Sequence, residues 1–373
     1  MKFGKGIYKK IIMITAAIIL IVITSAIIVL NMPAFGRMPQ GKRLERIQQS
    51  KNYHNGKFHN LHSTPTLTSD NTMLDNLWDF LSNKPIGLEP QNEIPHLKVD
   101  LHHLARAENT VIWFGHSSVF IQSESKRFLV DPVLTSRLPV SLMMKPFKGT
   151  EGYTPSDIPT TDYMIITHDH WDHLDYQTVK SLKDKIGKVI CPLGVGSHLE
   201  YWGYPAEKTI EMDWNETYTD GKLSIHCLPA RHFSGRGLTS DKTLWASFMI
   251  ENNRNIFISG DGGYDTHFTK IAERFPHIDL AIMENGQYSK NWRYIHMLPQ
   301  DLLKALNELH PNTVMTVHNS KFALSKHSWK EPMEQITRNS INAKYKLITP
   351  KIGEKVNLDS PNKTTNEWWK DVK

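Results

Sequence analysis

A dense cluster of metal-binding residue types at 167–175 constrains the fold of this chain more than any other feature. The string reads THDHWDHLD and places four such residues within six positions: His168, His170, Asp172 and His173. It directly follows the apolar run YMIIT at 163–167, which is typical of a buried strand. Imidazole and carboxylate are the groups that Zn²⁺ accepts besides thiolate. The pattern therefore predicts a metal site in a tight turn at the end of a strand.

Three further residues of the same types follow other apolar runs. His232 follows the run that ends in LPAR, Asp261 follows IFISG, and His318 follows TVMTV. A cluster of four cannot complete the coordination of two ions, so ligands from other strand ends are needed. Taken singly, each of the three is more often a packed or surface residue, but after an intact H-x-H-x-D-H they indicate a metal centre. Three other histidines are interpreted as packing or surface residues: His226, His267 and His310.

Composition leaves histidine and carboxylate as the metal ligands. The 373 residues are 22% charged and 39% hydrophobic, which is typical of a globular protein and excludes a disordered chain. The only two cysteines, Cys191 and Cys227, lie in apolar runs. Buried thiols are therefore expected rather than a disulfide, and a cysteine-rich zinc framework is excluded.

The apolar runs predict an α+β fold with two sheets and helices outside. Runs at 111–114, 118–121 and 127–130 come close together and predict an antiparallel meander. Later predicted strands lie at 163–167, 188–191, 223–228, 246–250, 256–259, 280–283 and 313–317, and helices at 176–185, 266–275 and 299–309. A further amphipathic helix is predicted at 72–81. No internal repeat and no glycine-rich phosphate loop is found.

Residues 11–30, IIMITAAIILIVITSAIIVL, form an uncharged stretch of twenty residues. At a rise of 1.5 Å per residue such a helix spans the hydrocarbon core of ~30 Å, so a transmembrane helix is predicted. A cleaved signal peptide has an apolar region of about 7–15 residues and an A-x-A-like site. The following NMPAFGRM offers no such site, so we expect an uncleaved single-pass anchor.

Positive charge is concentrated around this stretch. Residues 1–57 have ten Lys and Arg against Glu45, a net +9, whereas the remaining 34 basic and 37 acidic residues give −3. This distribution fits either contact with anionic lipid headgroups or topology signals, and it argues against nucleic-acid binding. Four basic residues lie before the apolar stretch and four within twenty residues after it. The short positive tail before it favours an extracytoplasmic catalytic domain.

Together, the motifs resemble the metallo-β-lactamase superfamily, through H-x-H-x-D-H followed by a His, an Asp in GDGGY and a His. The closer resemblance is to the N-acyl-phosphatidylethanolamine-hydrolysing phospholipase D family and its membrane-anchored bacterial relatives. It covers about residues 31–340 and rests on NMPAFGRMPQGKRLERIQQSKNY, WFGHSSV, LVDP, THDHWDHLD, PARHFSGR, SGDGGYD and YIHMLP. The resemblance implies an αβ/βα sandwich of two mixed sheets with outer helices, preceded here by one N-terminal transmembrane helix.

The charge pattern, the apolar stretch and the resemblance together divide the chain into five predicted parts. A basic tail (1–10) and the anchor (11–30) precede an extension (31–100) that packs on the catalytic domain. The hydrolase domain (101–350) follows, and a C-terminal tail (351–373) ends the chain.

The resemblance also implies the residues of the site. One zinc ion is expected on His168, His170 and His232, and the second on Asp172, His173 and His318. Asp261 is expected to bridge them, and Asp131 in LVDP to support a ligating imidazole. Catalytic roles are implied for three residues: His296, Asp172 and Arg236.

The implied reaction is hydrolysis by a hydroxide that bridges two zinc ions, with a phospholipid phosphodiester as the substrate. His296, Ser234 and Arg236 are candidates to neutralise charge or protonate the leaving oxygen. Two departures from the phospholipase pattern concern the substrate. The sequence that starts at the last ligand, His318, is HNSKF in place of one nearer HWGTF, and Leu298 stands where the pattern has an acid. A lactone or ester hydrolase and a catalytically idle membrane-tethered binding module remain alternatives. Other divalent metals and any oligomeric state also remain open.

Overall fold

Two seven-stranded sheets form the centre of the structure, a computed structural model that describes residues 3–68, 82, 85–135, 144–361 and 367–373. The helix predicted at 72–81 lies outside these residues. The described helices are α1 (Phe3–Leu30), α2 (Gly41–Gln48), α3 (Tyr176–Leu182), α4 (Gly196–Tyr201), α5 (His267–Arg274), α6 (Pro299–Leu309) and α7 (Glu331–Asn339). The described strands are β1 (Tyr53–His54), β2 (Lys57–Phe58), β3 (Thr110–Trp113), β4 (Val119–Ser123), β5 (Lys126–Val130), β6 (Thr161–Ile165), β7 (Ile186–Pro192), β8 (Thr209–Met212), β9 (Thr217–Asp220), β10 (Leu223–Leu228), β11 (Ser247–Glu251), β12 (Asn255–Ile258), β13 (Leu280–Glu284), β14 (Thr313–Val317), β15 (Lys346–Ile348) and β16 (Lys355–Asn357).

Each large sheet is mixed, with an antiparallel half and a parallel half. The first has the order β16-β3-β4-β5-β6-β7-β8 and is parallel from β5 to β8. The second has the order β15-β14-β13-β12-β11-β10-β9 and is parallel from β12 to β15. Strands β3, β4 and β5 form the predicted antiparallel meander. Strands β1 and β2 pair with each other as a separate hairpin.

Alternating side chains place one core between the sheets and one on the outer face of each sheet. In β4, Val119 and Ile121 join the core between the sheets, whereas Phe120 faces the outer layer. Helices α3 and α4 cover the first sheet, with Leu199 buried against it. Helices α5, α6 and α7 cover the second, where Leu302 is buried. This is the predicted αβ/βα sandwich, because a period of two sends each strand's side chains into two different layers.

The described residues of segment 351–373, which was predicted as a C-terminal tail, are instead part of the sandwich. Strand β16 pairs with β3, and Trp368 and Trp369 are buried in the core between the sheets. The pairing covers an otherwise open sheet edge, and the two indole rings bury a large apolar area. A strand of three residues has no readable periodicity, so the sequence did not indicate it.

Helix α1 lies apart from the sandwich. Its stretch Gly6–Leu30 is long and apolar enough to cross a membrane by length and composition, and none of its most apolar part is buried within the protein. The chain then turns at once onto the sandwich, through a short 3-10 helix at Pro33–Phe35.

Candidate metal centre

Three histidines of the predicted cluster converge on one point. His168 and His170 lie in the turn after β6, and His232 lies in the loop after β10. Nδ1 of His170 is 2.9 Å from Nε2 of His168 and 3.2 Å from Nε2 of His232. Ligands around a tetrahedral zinc ion lie about 3.3 Å apart, given Zn–N bonds of about 2.0–2.1 Å. The three imidazoles are therefore spaced as ligands of one ion.

Asp172, His173 and His318 form a second group beside the first. Oδ2 of Asp172 is 3.3 Å from Nε2 of His318 and 3.6 Å from Nε2 of His173. Asp261 lies between the two groups, with Oδ2 2.9 Å from Nε2 of His318 and 3.1 Å from Nε2 of His173. The same oxygen is 4.0 Å from Nε2 of His168. One carboxylate thus faces both groups, although its sequence position is far from either.

The backbone around Asp261 requires glycine. Gly260 has a φ of +60°, and a Cβ there would lie 2.7 Å from the carbonyl oxygen of Ala246. At Gly263 a Cβ would lie 2.1 Å from the carbonyl oxygen of Tyr294. The GDGGY sequence therefore allows the chain to turn between two backbones and to place the carboxylate in the centre.

Hydrogen bonds on the outward ring nitrogens orient the ligating imidazoles. Nδ1 of His173 is 2.8 Å from Oδ2 of Asp131, and Nδ1 of His232 is 2.9 Å from the carbonyl oxygen of Ile295. Both oxygens only accept, so each Nδ1 carries a proton and each Nε2 faces the centre. Asp131 is held in turn by the backbone N–H and the hydroxyl of Thr167, at 2.8 and 2.6 Å.

The residues present fit a pair of divalent cations. Nε2 of His173 is buried and has no hydrogen-bond partner among the described residues, although it faces Asp261. A buried polar atom of this kind is usually paired, and a bound cation would pair it. The donor set of five imidazoles and two carboxylates suits zinc and other borderline divalent metals.

The two groups of ligands differ in their electrostatics. Burial lowers the pKa of His168 and His232 well below the usual range, and neighbouring imidazoles lower it further. Burial also acts to lower the pKa of His318, but the Asp261 carboxylate and the hydrogen bond with Asp172 outweigh it and raise the pKa to about 10. Protons and metal ions compete for this position, so metal binding is expected to release protons.

His116, which sequence reasoning did not assign to the site, contacts it directly. Its Nε2 lies 2.8 Å from Oδ2 of Asp172, and its ring is tilted by 46° to the ring of His318, with the centroids 4.3 Å apart. Burial, together with the charge of His318, lowers the pKa of His116 to about 3, so this imidazole is neutral and donates from Nε2. The WFGHSSV motif was the available signal, since His116 is its only ionisable residue.

His296 lies at the rim of the centre and is held by a second residue that sequence reasoning missed, Glu284. The imidazole centroid is 5.1 Å from the centroids of both His232 and His318. Its Nδ1 is 2.5 Å from Oε1 of Glu284, the last residue of β13. Burial raises the pKa of the Glu284 carboxyl, with partial compensation by His296. With Nδ1 engaged, Nε2 is the nitrogen left for the cavity.

A cavity of about 560 Å³ opens above these groups. Its polar floor includes His170, Asp172, Asp261, His296 and His318. Most of its walls are apolar, with contributions from Leu67, Phe233, Trp292, Ile295 and Leu324. The cavity thus combines a charged floor with walls that suit hydrocarbon.

Arg236 does not line this cavity, which corrects the expectation that it acts on the substrate. Its guanidinium donates to the carbonyl oxygens of Asp169, Leu174 and Ala34 at 2.8, 2.7 and 2.8 Å. It stacks on Trp171, and burial lowers its pKa to about 10. Ser234 is likewise buried and donates to the carbonyl oxygen of Thr243. Both side chains donate to buried backbone carbonyl oxygens, which need hydrogen-bond donors, and in this way they hold the loops around the site in place.

Comparison with known proteins places the chain in a family. Residues 126–319 match the beta-lactamase superfamily domain. An uncharacterized protein of Mycobacterium tuberculosis is 32% identical over 330 residues, 87% of this chain and 88% of the relative. The N-acyl-phosphatidylethanolamine-hydrolyzing phospholipase D 1 of Caenorhabditis elegans is 30% identical over 225 residues, 55% of this chain and 62% of the relative.

Among solved structures, the metallo hydrolase Igni18 from Ignicoccus hospitalis has the same fold. Its TM-score is 0.51 at 20% identity, over 67% of this chain and 98% of that chain. Fold, domain match and full-length similarity agree. The chain belongs to the metallo-β-lactamase superfamily.

Proposed function

We propose that this superfamily hydrolase is a phosphodiesterase of the phospholipase D type, acting on a phospholipid such as N-acyl-phosphatidylethanolamine. The observation that supports it most is an apolar-walled cavity whose floor carries four of the seven converging His and Asp side chains. The similarity to a phospholipase D named for this substrate supports the same reaction. In the reaction a water oxygen bonds to phosphorus, the bond from phosphorus to the headgroup oxygen breaks, and that oxygen takes a proton.

Two zinc ions are the proposed cofactors. We assign one ion to His168, His170 and His232 and the other to Asp172, His173 and His318, with Asp261 shared. When bound, such ions supply Lewis acidity that lowers the pKa of a coordinated water and offsets charge on phosphoryl oxygens. Asp172 thereby acts as a ligand, and its position depends on the hydrogen bond from His116. Other divalent metals fit the same donors.

The proposed role of His296 is to donate a proton or hydrogen bond to the departing headgroup oxygen. Glu284 accepts from Nδ1, so the ring presents Nε2 to the cavity. A positioned imidazole contributes about 10²- to 10⁴-fold as a general acid. Phe233, Trp292 and Leu324 line the cavity and provide apolar surface for an acyl chain.

Helix α1 is proposed to anchor the enzyme in a membrane by a single pass, with the catalytic domain on the extracytoplasmic side. Its length and composition support the span, and the short positive tail supports the orientation. A membrane anchor places the enzyme next to the amphiphiles that suit its cavity.

A substrate panel with a matched pair of histidine variants tests the proposal. Metal-loaded full-length protein in mixed micelles is assayed against N-acyl-phosphatidylethanolamine, phosphatidylcholine, a soluble phosphodiester and an acyl lactone. We expect headgroup release from the phospholipids, lowered about 10²- to 10⁴-fold in kcat/KM by His296→Ala with unchanged metal content. His103→Ala, at an exposed site away from the cavity, should match wild type. If only the lactone is turned over, the protein is an ester hydrolase and the proposal is wrong. If no substrate is turned over, the protein is a binding module.

A further inference from the structure

The chain leaves the apolar helix α1 and binds the sandwich almost immediately. α1 ends at Leu30, and Pro33 begins the next element. Nε1 of Trp202 donates to the carbonyl oxygen of Pro33 at 2.7 Å, and Arg236 donates to that of Ala34. We name residues 33–37 the dock. Only two residues, Asn31 and Met32, separate it from α1.

The second half of the dock is fixed as tightly. Arg37 donates its N–H to Nδ1 of His198 at 3.0 Å, and its carbonyl accepts from Ser197 at 2.6 Å. Gly36 has a φ of +71°, and a Cβ there would lie 2.0 Å from Nδ1 of His198. No side chain larger than hydrogen fits at this position without moving the dock or the histidine.

The dock contacts the turn that carries the metal-ligand residues. The ring of Phe35 packs edge-on against Trp171, with centroids 4.9 Å apart. Trp171 stands between His170 and Asp172 in the sequence, and both of these line the cavity. Arg236 joins the same two segments, because its guanidinium binds Ala34 on one side and Asp169 on the other. The arginine that does not reach the cavity therefore ties α1 to the active-site turn.

Because only Asn31 and Met32 connect α1 to the dock, a bilayer around α1 would lie close to the cavity rim. Leu30 and Pro33 are three residue steps apart and therefore lie about 10–11 Å apart at most, at about 3.3–3.6 Å per step for an extended chain. The dock therefore lies within the headgroup layer or next to it if α1 spans the bilayer. From the dock, the contact between Phe35 and Trp171 leads directly to His170 and Asp172, which line the cavity.

The loop beside the dock has the composition expected at a lipid surface. Gly237 lies against Phe35, Ser240 lines the cavity, and between them Leu238 is 86% exposed. On the other side of the dock, the Arg37 guanidinium lies 4.7 Å from the ring centroid of Tyr201, which is 40% exposed. Exposed leucine, tyrosine and arginine side chains together are typical of residues that enter the membrane interface.

We propose that the dock holds α1 and the catalytic domain as one rigid unit, with Leu238 and the cavity entrance in the headgroup layer of a phospholipid bilayer. Substrate then enters the cavity sideways from the bilayer without crossing water. The bilayer surface is the partner, and the exposed guanidinium of Arg37 in the dock favours anionic lipids. The inference that substrate enters from the bilayer rests on the proposed function. The depth of Leu238 relative to the bilayer is measured without an activity assay.

The placement is tested by depth measurements on the full-length protein in vesicles of phosphatidylcholine and phosphatidylglycerol. Leu238→Cys is labelled with a nitroxide, and collisions with lipid-soluble oxygen and a water-soluble nickel chelate are compared. The native Cys191 and Cys227 are buried, and burial raises their thiol pKa, so they label poorly in the folded protein. The control is Asn253→Cys, at the exposed turn between β11 and β12.

We expect the label at 238 to be accessible to oxygen and protected from nickel, and the label at 253 to show the reverse. Gly36→Ala should abolish the protection at 238 because its methyl group displaces the dock. Gly41→Ala, with a similar φ of +54° but open space around its Cβ, should leave it unchanged. Equal nickel access at both labels, or protection that survives Gly36→Ala, would overturn the proposal.

The two proposals fail separately. Protection at 238 without phospholipid turnover would refute the phospholipase alone. Turnover of vesicle phospholipid with a water-exposed label at 238 would refute the docked orientation alone.

Discussion

Glu284→Gln tests how the active-site imidazole is positioned. The carboxylate of Glu284 serves two donors, with Oε1 2.5 Å from Nδ1 of His296 and Oε2 2.9 Å from the backbone N–H of Gly262. Glutamine keeps the shape but has one acceptor oxygen, so one donor loses its partner. Because the Gly262 amide is fixed in the backbone and the imidazole rotates, His296 is expected to lose its bond.

The size of the effect follows from the bond that is lost. A hydrogen bond to a charged group contributes about 1.5–3 kcal/mol, which corresponds to a decrease of about 10- to 150-fold in kcat/KM. We expect most of it in kcat rather than KM, because His296 is proposed to act on the leaving oxygen. Steady-state kinetics on the phospholipid substrate measures it, and elemental analysis should show an unchanged metal content.

A double-mutant cycle separates positioning from general damage. In a His296→Ala background, Glu284→Gln should cause no further decrease, because Glu284 acts through that imidazole. Glu308→Gln is the matched control, since Glu308 bonds Tyr264 and Thr269 outside the site, and it should match wild type. Additive losses in the cycle, or a single variant within about twofold of wild type, would refute the reasoning.

Three further predictions follow from the same structure. Elemental analysis should find two metal ions per chain, with Asp261→Ala losing more metal than Asp172→Ala or His318→Ala because it faces both groups; one ion or fewer in metal-replete buffer would contradict the assignment. Full-length protein should fractionate with membranes through residues 11–30, and protease added to intact cells should digest its catalytic domain; survival until lysis would place the domain inside. Arg236→Lys should lower the free energy of unfolding by about 2–4 kcal/mol in thermal or denaturant melts, because several buried carbonyl oxygens lose their donors, and an unchanged Tm would contradict this role.

Strands and helices with a clear apolar pattern were predictable from the sequence. β10 and β14 have the bounds that the runs at 223–228 and 313–317 predict, and α6 begins at the predicted Pro299. The sequence did not predict other elements, among them strands β8, β9, β15 and β16 and helices α2, α4 and α7. Strands β8, β9, β15 and β16 have three or four residues each, so their pairing depends on sheet edges that only the folded chain provides.

For the site, residue types at strand ends predicted which side chains converge, since parallel strands end at a common edge. What the sequence could not show is which nearby polar residues have their donors already occupied. Arg236 looked available for a substrate, but backbone oxygens in the folded chain bind its guanidinium. Glu284 follows the predicted strand at 280–283 and received no role, but tertiary folding places it beside His296.

Oxygen-18 labelling tests the central claim most directly, because it identifies the atom that water attacks. Metal-loaded enzyme is incubated with N-acyl-phosphatidylethanolamine in H₂¹⁸O, and the products are analysed by mass spectrometry. A phosphodiesterase of the proposed type releases the N-acylethanolamine unlabelled and places one ¹⁸O atom in the phosphate group of phosphatidic acid. Label in a released fatty acid, or in the alcohol, would contradict attack at phosphorus and with it the proposed function.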